Sequence, residues 1–156
     1  MLPFRSHLQT PRLREGYELL SDPELSAGEL NELLDRCGEP GRSPEIWRRV
    51  LARSTWYLAV VRPDGRLVGF VRSTSDRALN ANLWDLLSDP QDPARAEVIT
   101  ALVRTALGRL RRELGGCSIS LSAPPEALEA LTRAGFVVDP GGIRAMGLGL
   151  DPGPGD

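Results

Sequence analysis

The stretch NLWDLLSDPQDPARAEVITALVRTALGRL, residues 82–110, decides how this chain is read. A short apolar segment enters a loop of Ser, Asp and Pro, and the loop opens the longest helical pattern in the sequence. Val98, Leu102 and Ala106 recur every four residues, and Ile99, Val103, Leu107 and Leu110 widen the same stripe. That spacing marks a helix packed on one face. Asp92-Pro93 reads as its start, with Asp as the cap and Pro at the first helical position, and Gly115-Gly116 ends it. A strand that passes through a loop into a helix is a natural anion site, because a helix N-terminus carries unpaired N–H groups and partial positive charge.

Outward from this unit, the period changes to that of strands. Residues 56–61, WYLAVV, are an unbroken β-forming run. Arg62-Pro63-Asp64-Gly65 puts Pro and Gly where a tight turn wants them, and residues 67–74 return as the partner strand. Ser75-Asp76-Arg77 turns again into a third strand at 79–87. Upstream, residues 17–21 form a short first strand ended by Asp22-Pro23. Ser26 followed three residues later by Glu29 is a capping box for a helix through Cys37, with Leu30, Leu33 and Leu34 inward and Gly38 as its stop. Ser43-Pro44 opens a second helix, with Ile46, Trp47, Val50 and Leu51 inward and Arg48 and Arg49 outward. Downstream, residues 117–122 alternate as a strand. Pro124-Pro125 starts a helix with Leu128 and Leu131 inward, and Ala134-Gly135-Phe136 reads as its C-terminal cap. The last strands are expected at 137–138 and 143–150. The resulting order, β-α-α-β-β-β-α-β-α-β-β, predicts an α/β (α+β) domain over residues 16–150, a sheet covered by helices. A flexible arm is expected at 1–15, and the tail DPGPGD at 151–156 is expected to be disordered.

Composition bounds the function. The 156 residues are 41% apolar and 26% charged with a net charge of −2, as in a soluble globular domain. All 19 basic residues are Arg, so the chain has no lysine to be modified. The slightly acidic balance argues against nucleic acid as a partner, which calls for a basic face. Cys37 and Cys117 lie far apart and His7 is the only histidine, so neither a metal site nor a Cys–His pair is expected. The cysteines read as reduced thiols in a cytoplasmic protein. No apolar run reaches the ~18 residues of a membrane span, and the N-terminus lacks the apolar centre of a secretory signal.

The order of elements and three local motifs resemble the GNAT superfamily of acyl-CoA-dependent N-acetyltransferases over residues 17–150. GRLVGF, residues 65–70, matches the family's third strand. LWDLLSDP, residues 83–90, matches the fourth strand and its exit through a proline. SISLSAPPEALEALTRAGF, residues 118–136, matches the fifth strand, the fourth helix and the recurrent Gly-Phe end. RPDGRLVGFVRSTSD followed by NLWD, with the closing DPGGIRAM, is similar to the small GNAT proteins of cyanobacteria and plastids. The resemblance implies a mostly antiparallel sheet that splays between its fourth and fifth strands, flanked by four helices, with acetyl-CoA in the gap. It implies main-chain contacts to the pantetheine arm at Leu86, Leu87 and Ser88. The pyrophosphate is expected on the helix start around Arg95, Ala96, Val98 and Thr100. Asp85 is the candidate general base, acting through a water on an amine that attacks the thioester directly.

The chain also departs from that pattern. The family's loop reads Q/R-x-x-G-x-G/A, where glycines let backbone N–H groups close around phosphates. Here Ala94, Glu97 and Ile99 fall at the named positions, with the register open by one residue, and no Gly stands between Gly69 and Gly108. Glu97 is expected to repel a pyrophosphate and Ile99 to crowd it, so that glycines at both positions would restore the grip. The family's thiolate-protonating Tyr falls at Leu131, which has no proton to give. Arg104, Arg109, Arg111 and Arg112 make one helix basic, either as a solvated face paired with Glu113 or as a dock for an acidic protein. Two functions stay open: an acetyltransferase acting on a small amine or a protein, and an inactive domain that binds a protein partner. The oligomeric state is open as well.

Overall fold

A computed structural model describes residues 12–150. The expected arm at 1–15 lies outside them except for its last four residues, and the expected tail at 151–156 lies outside them altogether. The elements are β1 (Glu18–Ser21), α1 (Ala27–Arg36), α2 (Pro44–Arg53), β2 (Trp56–Val61), β3 (Leu67–Ser75), β4 (Asn80–Ser88), α3 (Arg95–Glu113), β5 (Ser118–Leu121) and α4 (Leu128–Arg133), with single 3-10 turns at Pro125–Ala127 and Pro140–Gly142. The five strands form one sheet in sequence order. It is antiparallel from β1 to β4 and parallel between β4 and β5.

Local chemistry sets the boundaries where it was strongest. The capping box forms: Ser26 Oγ accepts from Glu29 N–H at 3.1 Å, and the Glu29 carboxylate accepts from Ser26 N–H at 2.9 Å. Ser43 caps α2 by accepting from Ile46 N–H at 3.2 Å. The β2–β3 turn closes through Gly65 N–H to Arg62 O at 2.9 Å, with Gly65 at φ +85°, a region only glycine enters freely. Gly135 caps α4 in the same left-handed region, and Phe136 N–H returns to Leu131 O.

Because successive strand residues face opposite sides, the sheet has two cores. One face, with Leu58, Val60, Val68, Val71, Leu83 and Leu86, packs against α3 and α4. The other, with Ala59, Phe70 and Leu87, packs against Leu30, Leu33 and Leu34 of α1 and Trp47 of α2.

Three expectations are corrected. Asp92 does not cap α3, which starts at Arg95 with Ala94 as its cap and no side-chain hydrogen bond there. The Asp92 carboxylate is instead engaged by the Tyr17 hydroxyl at 3.0 Å and by Ala94 N–H at 2.8 Å. Ile46 and Leu128, expected inward, are both 42% exposed, because their helices meet the sheet through Trp47 and Leu131. The last two strands do not form: residues 137–150 pair with no strand among the described residues, and Val137, Val138, Ile143, Met146, Leu148 and Leu150 all stand exposed.

Candidate functional site

β4 remains bonded to β3 to its end, with Phe70 opposite Leu87 and Gly69 opposite Ser88. β5 follows β4 only over Asn80–Leu83, opposite Ser118–Leu121. From Trp84 onward the β5 side of β4 has no strand partner among the described residues. A gap in the sheet's pairing therefore opens beside Leu86, Leu87 and Ser88, and the chain leaves Ser88 through a short loop to start α3.

That loop is held by its own backbone. Asp89 N–H donates to Val68 O at 2.8 Å, Gln91 N–H to Asp89 Oδ1 at 2.9 Å, and Arg95 N–H to Asp92 O at 3.1 Å. Asp89 and Asp92 are buried. Arg36 pairs with Asp89 at 2.8 Å, which keeps this buried charge compensated. The next two N–H groups, of Ala96 and Glu97, meet no acceptor among the described residues. Two adjacent free donors at the start of a 19-residue helix are what an anion needs.

The side chains at that helix start divide by direction. Val98 and Ile99 are 0% and 3% exposed and point into the core, so neither projects over the free N–H groups as the sequence suggested for Ile99. Glu97 turns toward the segment before β1, where Arg14 holds it through its guanidinium at 2.7 Å and its backbone N–H at 3.2 Å. The Arg14 pairing sets the Glu97 carboxyl below its ordinary pKa and offsets its charge. Arg95 lies on the side of the gap: its Nε donates to Ser88 Oγ at 3.1 Å, and its other end meets Glu126 at 3.1 Å, just ahead of α4. Ala96 is exposed and Thr100 half-buried. Of the residues named from sequence, the fold places Leu86, Leu87 and Ser88 at the end of β4 with Arg95 bonded to Ser88 beside them, leaves Ala96 exposed in the first turn of α3, and turns Val98 inward.

Asp85 occupies a different setting. The β3–β4 ladder shifts register between Phe70 and Arg72, a β-bulge, and Asp85 sits in it at φ +52°. Its carboxylate accepts from Arg42 at 2.7 and 3.0 Å and from Arg72 Nε at 2.7 Å. The Arg42 guanidinium also lies over the Trp47 ring, 4.5 Å from its centroid. Burial pushes the Asp85 carboxyl up, but the hydrogen bonds and charges of the two arginines outweigh it, and the carboxyl lies below its ordinary value. Such a group is anionic at neutral pH and a weak proton acceptor. Arg42, Arg72 and Arg14 were not singled out from sequence; all three act through partners far along the chain, where no local signal marks them.

Leu131, at the expected position of a proton donor, is 2% exposed and part of the core. A cavity of about 610 Å³ adjoins the place where β4 and β5 part, lined by Asn82, Trp84, Ser122, Leu131 and Phe136 among others. Among the described residues, no group of three or more His, Cys, Asp or Glu could hold a metal ion, and no helix is long and apolar enough to cross a membrane.

No family model matches the chain. It is 33% identical over 132 residues to serotonin N-acetyltransferase 2, chloroplastic, of Oryza sativa subsp. japonica, covering 81% of this chain and 64% of that one. It is 27% identical over 170 residues to GCN5-related N-acetyltransferase 2, chloroplastic, of Arabidopsis thaliana, covering 94% and 65%. The chain thus spans just under two thirds of the length of these relatives. Among solved structures it resembles a probable acetyltransferase from meticillin-resistant Staphylococcus aureus, with a TM-score of 0.74, 14% identity and coverage of 86% and 99%. A GNAT family N-acetyltransferase from Escherichia coli, solved in complex with CoA, superposes with a TM-score of 0.59 at 17% identity over 78% of this chain and 68% of that one. At those identities the structures speak for the fold.

Proposed function

We propose that the chain is a member of the GNAT superfamily of N-acetyltransferases, as its likeness to plastid N-acetyltransferases and to GNAT folds supports, and that it transfers acetyl from acetyl-CoA to an amine of a small molecule or a protein. One observation carries the proposal: the edge of β4 over Leu86, Leu87 and Ser88, which no strand covers among the described residues, leads toward the free N–H groups of Ala96 and Glu97. A pantetheine arm can bond to such an edge as an added strand would. The pyrophosphate then meets the helix start, where Arg95 supplies a cation and Ala96 leaves the surface low. Thr100 flanks the same turn.

In the transfer, the amine nitrogen attacks the thioester carbonyl, the C–N bond forms, the C–S bond breaks, and CoA leaves as a thiolate. The ammonium proton passes to water. Asp85, ionised but committed to Arg42 and Arg72, acts at most through such a water. With Leu131 in place of a donor, the thiolate takes its proton from solvent. The acceptor is an amine, and serotonin is the one a relative's name supplies. A reducing cytoplasm suits the two free cysteines.

A second reading has its own observation. Asp85 is held by two arginines and α4 offers no acid at Leu131, so the fold could bind acetyl-CoA without turnover and serve a protein partner. Calorimetric titration tests the first step: acetyl-CoA should bind at micromolar concentration, and Thr100→Trp should abolish the heat. No binding at millimolar ligand would overturn the cofactor assignment. Release of free thiol from acetyl-CoA in the presence of serotonin and other amines then separates the two readings. Binding with no release across the panel favours the inactive domain.

A further inference from the structure

We propose that Arg95 and Glu126 form a latch across the gap beside the end of β4, and that Glu126 thereby sets how tightly the cofactor is held. The inference rests on acetyl-CoA entering that gap. One lip of the gap is the end of β4, whose last residue, Ser88, is buried. The other lip is the chain that leaves β5 at Leu121 and turns through Pro125–Ala127 into α4. Arg95 touches both. Its Nε donates to Ser88 Oγ at 3.1 Å, and its Nη2 meets Glu126 Oε1 at 3.1 Å. The two backbones are fixed. Ala94, next to Arg95, is 1% exposed and Ala127, next to Glu126, is 0% exposed, and both belong to the core under α3 and α4. Pro124 and Pro125 stiffen the approach to Glu126, and Ala127 N–H closes the turn on Pro124 O at 3.0 Å. The two charged side chains are partly exposed and free to rotate toward water, so the latch opens by side-chain rotation with both main chains in place.

Glu126 and a bound cofactor compete for one guanidinium. Arg95 is the cation beside the free N–H groups of Ala96 and Glu97, so a pyrophosphate at the helix start faces an arginine already held by a carboxylate. The pyrophosphate carries more charge than that carboxylate and gains the helix start as well. It therefore draws Arg95 off Glu126, and the lips part for the pantetheine arm. The released Glu126 turns to water, so no charge is left buried. Until an anion arrives, apparent affinity is reduced by the fraction of chains in which the latch is open. A partly exposed pair holds its closed form only modestly, which makes that reduction about two- to fivefold. The latch thus lowers affinity for every ligand of the gap, and a ligand that brings phosphates recovers the loss by capturing Arg95.

Calorimetric titration of CoA into the full chain at low salt tests the latch. Glu126→Gln should tighten binding about two- to fivefold, and Glu126→Ala should do the same, so the result does not hang on one replacement. The gain should shrink as salt rises, because salt already weakens the pair. Arg95→Ala should weaken CoA, and in that background Glu126→Gln should change nothing, since the carboxylate then has no arginine to withhold. Equal CoA affinity in the wild type and both Glu126 variants would overturn the latch and leave the cofactor assignment standing. The same gain from Glu126→Gln with and without Arg95 would also overturn it, by showing that Glu126 acts through repulsion alone. If CoA at millimolar concentration binds none of these chains, the cofactor assignment falls and the latch falls with it.

Discussion

Val98 fills the space a side chain at residue 69 would take: a β-carbon on Gly69 would stand 2.5 Å from Val98 Cγ1 and 3.0 Å from Leu102 Cδ1. The helix that carries the candidate anion site thus rests on bare backbone in β3, and a valine of that helix occupies the room. Val98 is stiff at χ1 and fully buried, so it cannot swing clear. Gly69→Ala should therefore cost roughly 1–3 kcal/mol by overpacking. Val98→Ala in the same chain should restore part of that, with a coupling of about 1 kcal/mol or more in a double-mutant cycle read from urea midpoints. Additive losses would mean that the two positions do not share the space.

Arg14 governs what Glu97 does to a bound anion. The carboxylate faces Arg14 and not the gap, and the pair is exposed on both sides. Glu97→Gln should therefore leave CoA affinity within about threefold, since exposed pairs are worth little. Arg14→Ala leaves Glu97 uncompensated beside the free N–H groups. It should weaken CoA severalfold at low salt, and by less as salt rises past a Debye length of about 10 Å. Ile99→Gly, one half of the double replacement that the sequence suggested would help, should instead cost several kcal/mol, because Ile99 fills the core and glycine weakens a helix. A gain in CoA affinity from Ile99→Gly would contradict the inward placement of that side chain.

These contrasts show which parts of the structure were legible in the sequence. Ser26 with Glu29, Ser43 with Pro44, and Pro63-Asp64-Gly65 act within four residues, and each does what its local chemistry dictates. The heptad-like stripe of α3 gave the core because burial follows period. Asp92 misled, because its carboxylate was available to Tyr17, 75 positions away, and a sequence shows the cap but not the competitor. The Arg14–Glu97 pair spans 83 positions and changes the meaning of the carboxylate that most argued against an anion. The alternating pattern of residues 143–150 suggested a strand that does not form, because a strand needs an edge to pair with and pattern does not supply one. Asp85 was legible as a strand carboxylate; its left-handed backbone and two arginine partners were not.

Cys37 reports on the far side of the β4 terminus. Its thiol donates to Ser88 O at 3.4 Å. Burial holds it above its ordinary pKa of 9.0, against the smaller effect of that hydrogen bond. At pH 8 it should be alkylated more slowly in the native chain than in urea, with the native rate still rising above pH 9. If the pantetheine arm lies along Ser88, saturating CoA should slow Cys37 further and leave the rate in urea unchanged. Equal native rates with and without CoA would argue against contact at Ser88.

Asp85 makes the sharpest case, because its backbone and its side chain can be tested apart. The left-handed φ of +52° costs a non-glycine residue on the order of 1 kcal/mol, and the clamp of Arg42 and Arg72 offsets that cost. Asp85→Asn tolerates the same backbone and keeps part of the hydrogen bonding, so it should be the mildest change. Asp85→Ala loses the clamp and keeps the strain; Asp85→Gly loses the clamp but relieves the strain. Glycine should therefore be the more stable of the two by about 1 kcal/mol, the reverse of the usual order inside a strand. The carboxyl is depressed below its ordinary value of 3.8, so its contribution is fully present above about pH 4 and fades as pH falls through the folded pKa. Stability curves of wild type and Asp85→Asn should accordingly run parallel from pH 5 to 8 and converge below pH 4. Alanine more stable than glycine at this site, or curves that diverge toward acid, would show that the bulge is held by something other than the two arginines.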